Sequence, residues 1–111
     1  MIKVKLKKHN KNLVGFHICG HAEYSDYGKD IVCAATTMLT FNTIDTFTDL
    51  LLLDDYLNIN IKDNDIDIKL IKNLNENQNK DFQLIMKKFE LGINSLIQSY
   101  GEYIELNYLE V

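Results

Sequence analysis

The chain switches twice between two periods, and that switching limits the folds open to it. Residues 2–7 alternate strictly, with Ile2, Val4 and Leu6 on one side and Lys3, Lys5 and Lys7 on the other. That is the pattern of a half-buried strand. Asn10-Lys11-Asn12 follows and suits a hairpin turn, since asparagine tolerates left-handed backbone angles. A second strand over residues 13–20 puts Val14, Phe16, Ile18 and Gly20 on the core face, with Gly15, His17, Cys19 and His21 opposite. Residues 57–61 and 66–70 repeat the alternation around Asp63-Asn64, a second hairpin.

A longer apolar segment follows each hairpin. Residues 31–53 read as one helix whose apolar positions include Ile31, Val32, Ala35, Met38, Leu39, Phe41, Ile44, Phe47, Leu50 and Leu51. That stripe is too broad for a single buried side, so the expected helix is central and touches both the sheet and a partner. Residues 73–79 are polar and read as a linker. Beyond them Phe82, Ile85, Met86, Phe89, Ile93, Leu96, Ile97 and Tyr100 recur at helical spacing, an amphipathic core stripe that Gly101 closes as a C′ residue. A last strand takes residues 103–109. The order ββαββαβ predicts an α+β two-layer sandwich, a mainly antiparallel sheet of about five strands with two helices on one face. Residues 1–111 are expected to form one domain.

Net charge is −4, which does not favour direct nucleic-acid contact. Lys3, Lys5, Lys7 and Lys8 read as a solvated strand face. No apolar run reaches the ~20 residues a membrane helix needs, and no signal peptide is expected. The two cysteines make neither a disulfide framework nor a finger motif, so a cytoplasmic protein with reduced thiols is expected.

The chemistry concentrates between His21 and Ala35. Asp30 is a good N-cap, its carboxylate accepting main-chain N–H groups two or three residues on. Cys33 then lies in the first helical turn, where main-chain N–H groups and the helix dipole favour a thiolate and could also hold an oxyanion. The competing role for Cys33 is that of a small buried hydrophobe. His21, at a strand end, could take the thiol proton and return it to a leaving amine; the alternative is a loop-edge histidine bonded to backbone. Asp30 could orient the imidazole, with Asp26 and Glu23 as weaker candidates. Gly20 and Gly28 are expected to permit positive backbone angles at the loop ends. Loop 22–29 lacks bulky aliphatic residues and could close over a substrate. A metal set of His17, Cys19, His21 and Cys33 is the rival reading, although ordinary zinc spacings are absent; no metal or cofactor is expected.

Gly20-His21-Ala22, followed by Gly28-Lys29-Asp30-Ile31-Val32-Cys33-Ala34-Ala35, resembles the signature of the ribosomal-processing cysteine protease family, Prp. One departure is Thr36-Thr37, where family members often carry a hydrophobic residue and then serine; Thr37 keeps a hydroxyl. The resemblance implies a cytoplasmic, homodimeric cysteine protease of Firmicutes and related bacteria. It implies removal of a short N-terminal extension from large-subunit ribosomal protein L-twenty-seven, with cleavage after an aromatic residue. His21 would be the base, Cys33 the nucleophile and Asp30 a supporting residue, with loop 22–29 covering the bound peptide. A ribosome-associated peptide-binding module without catalysis is the second class of function.

Overall fold

A computed structural model describes residues 1–111. Five strands and two helices follow in the expected order: β1 (Ile2–His9), β2 (Asn12–Cys19), α1 (Ile31–Asp45), β3 (Leu57–Lys62), β4 (Asp65–Leu70), α2 (Glu76–Tyr100) and β5 (Ile104–Glu110). The strands form one sheet in the order β3-β4-β2-β1-β5. Every neighbouring pair is antiparallel except β1 with β5, which is parallel. Both hairpins turn through two residues, and Asn10 (φ 56°) and Asn64 (φ 59°) take the left-handed angles that such turns need.

Both helices cover one face of the sheet, and the core lies between the layers. Ile2, Val4, Leu6, Phe16, Ile18 and Ile68 project from the sheet, and Phe82, Met86, Phe89 and Ile93 from α2. Phe16 stacks on Phe89 with ring centroids 4.4 Å apart, and Phe47 on Phe82 at 4.5 Å. Each such side chain contributes about 1.5–3 kcal/mol by leaving water. The opposite face of the sheet is polar: Lys7 pairs with Asp67, and His17 Nε2 lies 2.9 Å from Asp65 Oδ1. Lys3 and Lys5 are exposed on that face and Lys7 pairs across it, whereas Lys8, opposite buried Leu13, lies over the Tyr108 ring on the helix-bearing side.

Several sequence expectations change. A bulge between Lys7 and Lys8 shifts the register, so Leu13 is buried where Val14 was expected, and Val14 is only half-buried. The expected helix 31–53 stops at Asp45; a wide π turn over Thr46–Leu50 and a short 3-10 turn over Asp54–Tyr56 carry the chain to β3. The buried side of α1 is not its apolar stripe. Thr36, Thr40 and Thr43 point inward beside Val32 and Ile44, while Ile31 and Met38 face solvent. Each inward hydroxyl donates to a main-chain carbonyl 2.7 Å away, on Val32, Thr36 and Leu39 respectively, so the polar atom is satisfied and the methyl packs. The polar linker is shorter than expected, because Asn75 caps α2 in a reciprocal capping box with Gln78. Gly101 is not a left-handed C′ residue: its φ is −61°.

Candidate active site

The junction from β2 to α1 forms one wall of a groove of about 1100 Å³. The groove is lined by His21, Cys33 and Asp30, by Met38 and Phe41 of α1, and by the β3–β4 turn at Lys62–Asp65. The two reactive side chains therefore open into the same space, although twelve positions separate them.

Gly20 turns the chain there. Its φ of 92° ends the alternation of β2, and a Cβ would lie 2.4 Å from the Met1 carbonyl oxygen, so glycine is required on both counts. His21, just beyond the turn, stands exposed in the groove, which Cys19 also lines. Its imidazole makes no hydrogen bond to the thiol; the side chains of a resting site often tighten only on substrate. Gly28 also takes a positive φ, 83°, at the other end of the loop.

Asp30 ties the site together. Its Oδ1 accepts from Val32 N and Cys33 N, each at 3.0 Å, and caps α1. Its Oδ2 accepts from Tyr24 N at 2.9 Å and Ser25 N at 3.3 Å, fastening the loop to the helix start. Burial pushes the carboxyl upward, but the donors Cys33, Ser25, Tyr24 and Val32 together outweigh it, and its pKa falls below the ordinary 3.8. The expected mobile loop is therefore pinned over its first half. The Tyr24 ring packs edge-on against Tyr100 (5.6 Å) and Tyr103 (5.1 Å), leaving only the tip, where Tyr27 is 95% exposed.

The same bonds overturn one expectation. The Val32 and Cys33 amides are engaged by Asp30 and the Ala34 amide by the Asp30 carbonyl, so of the first-turn amides expected to hold an oxyanion only that of Ile31 makes no hydrogen bond. Instead Ala22 N donates to Cys33 Sγ at 3.3 Å. No three histidine, cysteine, aspartate or glutamate side chains gather in ligating geometry, so His17, Cys19, His21 and Cys33 do not form a metal set. His17 faces Asp65 instead. Thr36 is buried, and exposed Thr37 lines the groove one turn beyond Cys33.

The family model described as Cysteine protease Prp matches residues 1–105. This chain belongs to the Prp family. Among characterised relatives, the ribosomal processing cysteine protease Prp of Staphylococcus aureus is 32% identical over 89 residues, 80% of each chain. The crystal structure of an essential ribosomal processing protease Prp from S. aureus, in complex with a covalently linked product peptide, superposes with TM-score 0.81. It is 26% identical and matches 98% of this chain and 100% of that one. The same S. aureus protease with a substrate peptide gives TM-score 0.77 at 25% identity, again over 98% and 100%. The protein is thus a cysteine protease of the Prp family, whose members act in ribosomal processing. Sequence reasoning singled out His21, Asp30 and Cys33, which line this groove, but missed Ala22 and Tyr24, whose contributions are a main-chain N–H and a loop anchor. Neither leaves a side-chain signature of chemistry.

Proposed function

We propose that residues 1–111 act as one peptide-cleaving domain in which Cys33 is the nucleophile and His21 the general base, with Asp30, Gly20 and Gly28 holding the loop that presents them. The observation that carries this reading is the shared groove: Cys33 Sγ lies under the loop that starts at His21, in a space large enough for an extended peptide. His21 takes the thiol proton, and the sulfur attacks the peptide carbonyl carbon. The C–S bond forms as the carbonyl π pair moves to oxygen. Collapse of that adduct breaks the C–N bond, and His21 gives its proton to the departing amine. Water, deprotonated by the same imidazole, then releases the acid and restores the thiol.

The substrate is the short N-terminal extension of ribosomal protein L-twenty-seven, cut after an aromatic residue, in the cytoplasm and by a homodimer. Met38, 68% exposed, and Phe41 offer an apolar wall for such a side chain. Glu23, Asp63 and Asp65 outnumber Lys62 along the groove, which suits a cationic peptide. No helix is long and apolar enough to cross a membrane. The S. aureus protease carrying a covalently linked product peptide supports the covalent route.

The test is cleavage of a synthetic peptide spanning the start of L-twenty-seven from the same genome. The protein should cut it once, after an aromatic residue, and Cys33→Ala should not. Tight binding without any cleavage would favour the binding module instead.

A further inference from the structure

We propose that the main-chain N–H of Ala22 is the oxyanion donor of this site, resting on Cys33 Sγ in the free enzyme and passing to the substrate oxygen as the C–S bond forms. The inference builds on the protease reading above and adds to it the group that stabilises the developing charge. A cysteine at a helix start would ordinarily draw on the amides of its own first turn. Here three of those four amides are occupied and only Ile31 N makes no hydrogen bond: Val32 N and Cys33 N both donate to Asp30 Oδ1 at 3.0 Å, and Ala34 N donates to the Asp30 carbonyl at 3.0 Å. Freeing Val32 N and Cys33 N would strip the side-chain cap from α1.

Ala22 N is placed differently. Its hydrogen bond goes to the nucleophilic sulfur itself, at 3.3 Å. In the tetrahedral adduct the oxyanion is two bonds from that sulfur, within reach of the same donor after a small shift. An effective donor must lie about 2.7–3.1 Å from the oxyanion and must already be fixed before the reaction. Ala22 is fixed from both sides. Upstream, Gly20 N donates to the Asn64 carbonyl at 3.0 Å. Downstream, Glu23 holds a left-handed φ of 60° and the Tyr24 and Ser25 amides are clamped on Asp30. The Ala22 methyl is buried at 2% exposure, so the residue cannot rotate without leaving the core. A left-handed non-glycine residue persists only where its surroundings enforce it. Glu23 stands directly between Ala22 and the amide pair held by Asp30.

This assignment gives His21 and Ala22 complementary tasks on adjacent residues. The imidazole moves the proton and the next amide holds the charge. Asp30 then acts as a positioning residue for both the donor and the nucleophile.

The decisive variant replaces the Ala22 amide by an ester, through incorporation of lactic acid at position 22 in the full chain. It keeps the methyl and removes only the N–H. We expect kcat on the peptide to fall about 10²–10³-fold, with KM within about twofold and thermal stability close to wild type. Undiminished kcat would overturn the inference. Cys33→Ala, run in parallel, separates the two levels. If it still cleaves, the protease reading has failed; if it is inactive while the ester variant is fully active, only the oxyanion assignment has failed. A second measurement needs no variant. Wild-type protein labelled with ¹⁵N is titrated with a peptide aldehyde, which forms a tetrahedral adduct on a thiol. The Ala22 amide resonance should shift most among the amides of Ala22, Ile31, Val32 and Cys33. A dominant shift at Ile31, Val32 or Cys33 would assign the oxyanion to the helix start and refute the proposal.

Discussion

Two strand-to-helix junctions in this molecule solve the same mechanical problem, and only one of them carries the candidate catalytic side chains. Both β2–α1 and β4–α2 carry the chain from a strand onto a helix over the same face of the sheet. The second is short and closed on itself: Asn75 Oδ1 accepts from Gln78 N at 2.8 Å, and Gln78 Oε1 accepts from Asn75 N at 2.9 Å. A neutral pair satisfies the Asn75 and Gln78 amides and reaches no other segment. The first uses a charged cap that spends half its capacity on the helix and half on a long loop. That loop brings the Ala22 N–H to Cys33 Sγ and places His21 in the same groove. The difference is one of reach, because a carboxylate with two oxygens can organise two segments at once.

The largest effect that follows is chemical. Cys33→Ala should reduce peptide cleavage by about 10⁴-fold or more while leaving the melting temperature near that of wild type; retained turnover would erase the distinction between the junctions. Next comes the charged cap. Asp30→Ala should cost about 2 kcal/mol, the upper end of the range for a lost N-cap, and should also lower kcat, because the loop loses its anchor. Asn75→Ala should cost about 1 kcal/mol and leave kcat/KM unchanged. Equal effects of the two on catalysis would mean that Asp30 is only a cap.

The pH dependence sharpens the same contrast. The folded-state pKa of Asp30 lies below the ordinary 3.8, so its contribution to stability is fully present above the unfolded value. It is lost as pH falls through the depressed folded value. Asp30→Asn should therefore remove one acid-sensitive component of the denaturation curve below about pH 4 and change nothing in its shape at neutral pH. An unchanged acid limb in that variant would count against the fourfold engagement of the carboxylate.

The smallest effect concerns how α1 was read. α2 was legible because Phe82, Met86, Phe89 and Ile93 are apolar, evenly spaced and buried. α1 misled because its inward face carries Thr36, Thr40 and Thr43, which a hydropathy pattern counts as polar. Inside a helix their hydroxyls bond to the preceding turn and only methyls remain for packing. Thr40→Ser should thus cost about 1 kcal/mol for the lost methyl group. Thr40→Val should cost less, since the Thr36 carbonyl keeps its helical donor. The reverse order would show that the hydroxyl, not the methyl, matters there.

Within the site, side-chain chemistry was legible and main-chain chemistry was not. His21, Asp30 and Cys33 announce themselves by residue type, and Gly20 by the turn it permits. Nothing in the identity of Ala22 says that its N–H meets a sulfur, because that follows from Asp30 occupying the amides a sequence reading would have chosen. The Tyr24 anchor on Tyr100 and Tyr103 likewise joins segments far apart in the chain, which no local pattern records.

The most direct measurement of the central claim is an acid quench of the protein during turnover of its peptide, followed by mass mapping of the thiols. The account predicts a thioester-linked N-terminal fragment on Cys33, formed at the rate of cleavage, with Cys19 unmodified. Cleavage with no adduct on Cys33, or with the adduct on Cys19, would contradict it.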